Sequence, residues 1–191
     1  MDDESYLSLL TRELTRLKRL ADGAMSQTSD EALFMSVLGS GTSLATVVKH
    51  MSGNMHSRWQ DFLTSDGEKP SRHRDEEFEI SSEDTREHLR TRWESGWALF
   101  LKTVSSLSTS DLERTVTIRG EPLTVLQAVN RQITHYAYHV GQIVVLAKQQ
   151  CGETWNTLSV ARGESAEFNK NPKRYLSSLG RQETGEADAT A

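Results

Sequence analysis

Four long stretches of the chain repeat apolar residues every three or four positions, a period that suits helices and not strands. In the first, Tyr6, Leu10, Leu14, Leu17, Leu20 and Ala24 form the stripe, with Arg12, Arg16 and Arg19 between them, predicting an amphipathic helix near residues 3–25. QTSDEALFMSVLGSGTS follows; SDEALF suits one helical turn, and GSG predicts a loop before residue 43. The second helix reads SLATVVKHMSGNMHSRWQDFL, with Ser43 as N-cap and Leu44, Val47, Val48, Met51, Met55, Trp59, Phe62 and Leu63 facing inward. Gly53 interrupts it and costs about 1 kcal/mol of helix propensity relative to Ala, which implies close approach by a neighbouring helix or ligand.

A loop of about fifteen residues, TSDGEKPSRHRDEEFE, comes next and is long enough to be a functional candidate. The third helix is expected to start near ISSEDTREHL, where Ser81 and Asp84 have capping-box spacing. Its stripe is Leu89, Trp93, Trp97, Phe100, Val104 and Leu107; the tryptophans, with Trp59, suit core or a dimer interface better than a substrate wall. RTVTIRGEPLT predicts a small hairpin or extended connection. Thr124 and Gln127 form another capping box, opening a fourth helix near 124–150 that Gly152 closes. TWNTLSVARGESAEFNK is expected to pack against the helices.

Four long helices with little strand predict an all-α four-helix bundle, and either long connection could cross over it. One domain over residues 1–178 is expected, with a disordered tail at 179–191, where GRQETGEADATA has no apolar anchor.

Composition narrows the function classes. The 191 residues are 36% hydrophobic, enough for one core, and a formal net charge of −5 with interspersed signs gives no footprint for nucleic acid. The single cysteine, Cys151, excludes an internal disulfide and fits a reducing compartment; with no basic neighbour nearer than Lys148 it is a poor nucleophile. MDDESYLSLL is acidic where a secretory leader is basic, and no apolar run reaches the roughly 20 residues that span a bilayer. A soluble, cytoplasmic protein is expected, with neither membrane nor nucleic acid as partner.

Chemistry concentrates in HYAYHVGQIVVLAKQ. His135 and His139 are four apart and share a helix face with Ala128, Gln132, Ile143 and Leu146. Two imidazoles bordering a core need partners for their ring nitrogens, from a satisfied polar cluster or from a metal ion. His50, mid-way along the second helix, adds a third imidazole from a facing helix. Three histidines leave open positions on an ion, the pattern of catalytic sites. His56 lies about 200° around the helix from His50, and His73 and His88 fall in the charged loop and off the apolar stripe, so all three are expected at the surface.

Near neighbours are candidate substrate contacts: Asn54 is one turn from His50, and Arg131 one turn before His135 could clamp a carboxylate, the alternative being a rim ion pair. Arg72, Arg74 and Asp75 could line the mouth, although a charged, solvated loop is the better reading of them. Tyr136 and Tyr138 suit core or rim packing.

VVKHMSGNMHSRWQDFLTSDGEKP and RTVTIRGEPLTVLQAVNRQITHYAYHVGQIVVLAK together resemble the DinB-like, YfiT-like superfamily of metal-dependent four-helix proteins, and most of all a branch known only as a domain of unknown function. The resemblance covers about residues 3–170 and rests on pairing a mid-helix histidine with HxxxHxGQ on the fourth helix. It implies an up-down-down-up bundle, a homodimer, and a divalent ion such as zinc or nickel on His50, His135 and His139. Relatives include S-transferases using bacillithiol or mycothiol and a thiol-dependent maleylpyruvate isomerase. The resemblance therefore implies a small-molecule substrate and a low-molecular-weight thiol as cosubstrate. A non-catalytic metal-binding or stress-related bundle and a metal-assisted hydrolase stand as alternatives.

Overall fold

The computed structural model describes residues 3–37 and 41–172; the expected tail at 179–191 and the GSG glycine at position 39 lie outside the described residues. They fall into two units, one running to Asn156 and the other beginning at Thr157.

The first unit is all-α with one small hairpin. Its long helices are α1 (Asp3–Met25), α3 (Leu44–Trp59), α4 (Arg86–Ser105) and α5 (Val125–Cys151), with the short α2 (Asp30–Phe34) between the first two. α1 packs against α4 and α5, and α3 packs against the same two helices. The core follows the apolar stripes. Leu10, Leu14, Leu17, Ala21 and Ala24 are buried on α1, and Leu89, Trp93, Trp97, Phe100 and Val104 on α4. Leu20, read as part of the first stripe, is only half-buried, and Ala21 takes its place on the inner face. Trp59, Trp93 and Trp97 are all core. α3 is buried almost all round, because α4, α5 and a turn of the following loop surround it.

Two helix boundaries differ from the sequence reading. α3 stops at Trp59, four residues before Leu63: Gln60 is extended and Asp61 takes a left-handed φ of 50°, which turns the chain while Phe62 still stacks on Trp59. α4 starts at Arg86 under an N-cap from Thr85, which accepts from the His88 N–H. The Ser81–Asp84 pair closes a turn ahead of it, because the Asp84 carboxylate is engaged by the Ser81 N–H and by Lys49 Nζ, both at 2.8 Å.

Between α4 and α5, β1 (Thr115–Ile118) and β2 (Glu121–Thr124) pair antiparallel. Arg119 and Gly120 both have positive φ, 55° and 76°, as a two-residue hairpin turn requires. Asp66 accepts both of their N–H groups at 2.8 Å, tying the α3–α4 loop to the hairpin. Thr124 and Gln127 complete the capping box that starts α5. Gly152, with φ 56°, ends it. Among its described residues the second unit contains one short helix, α6 (Ser165–Lys170). No helix among the described residues is long and apolar enough to cross a membrane.

Candidate metal centre

α3 and α5 meet along their middles, and there the three histidines converge. His50 comes from α3, His135 and His139 from successive turns of α5. One ring nitrogen from each lies within 4.8 Å of the other two. Ring centroids are 4.6 Å apart for His135–His139, 4.9 Å for His50–His139 and 5.6 Å for His50–His135. His50 is buried and the α5 pair half-buried, so the cluster opens to one side.

The hydrogen bonds decide which nitrogens face inward. His50 Nδ1 donates to Glu77 Oε2 at 2.8 Å. His139 Nδ1 donates to Gln142 Oε1 at 2.7 Å, and the Gln142 amide donates in turn to the Tyr138 hydroxyl at 3.0 Å. A neutral imidazole carries one N–H and one lone pair, so Nδ1 donation leaves Nε2 of His50 and His139 as acceptors. The Nε2 atoms of His135 and His139 face each other at 3.1 Å. Two nitrogens bound 2.0–2.1 Å from one tetrahedral ion would be about 3.3 Å apart, close to this spacing. His135 Nδ1 is buried with no hydrogen-bond partner among the described residues.

Electrostatics favour the neutral, ligating form. Burial, then the proximity of His139 and His50, pushes His135 down from its ordinary 6.5 to about 3. Burial likewise lowers His139, opposed by its bond to Gln142 and helped by His50. With His139 Nε2 an acceptor, neutral His135 donates to it from Nε2, and an ion taking that place would be held by the lone pairs of the same nitrogens. These residues could hold a metal ion, and three imidazoles are a donor set that zinc, nickel and copper accept.

The other expected site residues have partners of their own. Asn54 is in the core, accepting from the Tyr136 hydroxyl at 2.9 Å, while Tyr136 accepts from Trp59 Nε1 at 3.0 Å. Tyr136 is fully buried, and its ring lies 5.5 Å from His135. Arg131 is exposed and pairs with Glu121 of β2 at 3.6 Å; no hydrogen bond joins it to the histidines among the described residues. His73 and His88 are exposed, and His56 bonds Ser95 away from the cluster.

Sequence reasoning missed Glu77, gave Gln142 no role beyond closing the HxxxHxGQ motif, and preferred a solvated loop for Arg72. The Arg72 side chain is 4% exposed and grips the Glu77 carboxylate through Nε and Nη2, both at 2.8 Å. The available signals were the three-residue spacing from His139 to Gln142 and the bare backbone at Gly53, which faces Glu77.

A family model described as "Protein of unknown function (DUF1572)" matches residues 2–164, and the chain belongs to that family. Neither the curated proteins nor the solved structures yield a match.

Proposed function

We propose that this member of the DUF1572 family binds a divalent ion, zinc or nickel, through His50, His135 and His139 and acts as a thiol S-transferase on a small electrophile. One observation carries the metal part: a ring nitrogen of each histidine lies within 4.8 Å of the other two, while acceptors at Nδ1 of His50 and His139 leave their Nε2 lone pairs to ligate.

When bound, such an ion makes coordinated water or thiol a nucleophile near neutral pH. The protein's own part is to hold three neutral donors on rigid helices and leave the remaining positions open to one side. Transfer to a thiol, in preference to hydrolysis, draws on the likeness to DinB-like, YfiT-like proteins, as do the up-down-down-up order and a homodimer. Exposed Tyr138 and Val145 on α5, beside the bare surface of Gly141, support a second copy docking on that face.

Elemental analysis of tag-free protein, followed by a screen of low-molecular-weight thiols against electrophiles, tests the reading. The expected result is about one divalent ion per chain, thiol consumption that needs it, and loss of both in His135→Ala. Metal without thiol turnover would retire the transferase and leave a metal-binding bundle. Ester hydrolysis without thiol would make it a hydrolase.

A further inference from the structure

The loop between α3 and α4 does more than connect them. Its single 3₁₀ turn, Asp75–Phe78, folds back onto the middle of α3 and brings Glu77 to His50. Gly53, three residues after His50, makes the approach possible: a Cβ there would lie 2.2 Å from Glu77 Oε1. Three hydrogen bonds then hold the carboxylate. Oε2 accepts from His50 Nδ1 and Arg72 Nη2, and Oε1 accepts from Arg72 Nε, each at 2.8 Å. The side chains of His50, Glu77 and Arg72 are 6%, 5% and 4% exposed.

A buried ion pair is a poor device for stability alone, since apolar residues of similar volume often serve as well or better. This one is aimed at a single ring. Phe78, the next residue, stacks on the same imidazole at 4.9 Å and 30°. The loop is itself anchored, because Glu68 takes Arg58, Arg72 and Arg119, and Asp66 takes the hairpin backbone. His50 is thus fixed by its edge and by its face.

We infer that Glu77 is the positioning residue for His50. It holds the proton on Nδ1 and turns the Nε2 lone pair to the metal, while Arg72 holds Glu77. A carboxylate behind a ligating imidazole fixes the tautomer and raises donor strength, and losing one typically costs 10–100-fold in metal affinity. Gln142 does the same for His139 without charge, and His135 has no such partner among the described residues. The affinity part rests on the three-histidine reading; the tautomer part does not.

The test uses the full chain and two readouts. Nitrogen-15 NMR of the histidines in chelator-stripped protein reads the His50 tautomer, and chelator competition reads zinc affinity. Wild type is expected to hold His50 with its proton on Nδ1. In Glu77→Ala that preference is expected to disappear and zinc affinity to fall about 10–100-fold. Glu77→Asp, which keeps the charge beside Arg72 but draws it back from the ring, is the second variant should Glu77→Ala not fold, and the same losses are expected. Unchanged tautomer and affinity in a variant that is merely less stable would overturn the inference, as would a wild-type His50 protonated on Nε2. A protein that takes up no zinc yet shows the tautomer and its loss in the variants would overturn the metal reading and uphold the positioning of His50.

Discussion

Gly53→Ala sets two well-defined effects against each other. In an ordinary helix interior the change gains about 1 kcal/mol, because Ala costs less backbone entropy than Gly. Here the new Cβ would sit 2.2 Å from Glu77 Oε1 and 2.8 Å from its Cδ, distances at which something must move. The carboxylate is the end of a flexible side chain, but three hydrogen bonds to His50 and Arg72 pin it. Both charged partners are under a tenth exposed, so the pair belongs with buried ion pairs and not with surface ones worth about 0–1 kcal/mol. Breaking a buried pair costs about 3–5 kcal/mol, and subtracting the helix gain leaves a net loss of about 2–4 kcal/mol. At about 2–4 °C per kcal/mol for a chain of this size, a loss of 2 kcal/mol lowers Tm by about 4–8 °C. Urea and thermal unfolding of wild type, Gly53→Ala, Glu77→Ala and the double variant measure it. With Glu77 already cut back to Ala, Gly53→Ala is expected to stabilise by about 1 kcal/mol. If Gly53→Ala raises Tm in the wild-type background, Glu77 does not need the space and the reasoning fails.

Three further outcomes are expected. The stability of metal-free protein should rise with pH between about 3 and 6.5, because the unfolded chain binds a proton at His135 there and the folded chain does not. Glu77, lowered as its bonds to His50 and Arg72 outweigh burial, adds a loss in the same sense as pH falls below its ordinary 4.5. Urea midpoints across this range check the slope, and His135→Gln should flatten its upper part. Tyr136→Phe strands Asn54 Oδ1 and Trp59 Nε1 in the core and should cost about 1–3 kcal/mol in urea unfolding, whereas Tyr138→Phe at the exposed rim should cost much less. Thr124→Ala removes the capping box of α5 and should cost about 1 kcal/mol by the same measurement.

The helices were legible because burial follows period: the α4 stripe read from the sequence is the stripe the core contains. The hairpin and the Thr124 cap were legible from local chemistry. The C-terminal end of α3 and the start of α4 were not. Asp61 in a left-handed turn and Asp84 diverted to Lys49 are settled by tertiary contacts that spacing does not encode. The same division holds at the site. His135 and His139 declare themselves by a four-residue spacing, and His50 by its place on a buried face. Glu77 is 27 residues from His50 in a charged loop, and its neighbours Asp75, Glu76 and Glu79 are exposed carboxylates of the kind that composition takes all of them to be. Only the fold of the loop tells them apart. Arg72 and Arg74 look equally solvated in sequence, yet one is buried against Glu77 and the other lies half-exposed over Phe78. Arg131 and Asn54 were read from helical proximity alone, and the structure pairs them with Glu121 and Tyr136.

The central claim is that three imidazoles from α3 and α5 form one metal site. X-ray absorption at the zinc edge, on protein loaded with one equivalent of zinc, tests it most directly. The account predicts three imidazole nitrogens at about 2.0–2.1 Å with one water oxygen in the open position, and the loss of one imidazole shell in each of His50→Ala, His135→Ala and His139→Ala. A zinc ion whose spectrum is unchanged by these substitutions, or a protein that retains no zinc, would contradict it.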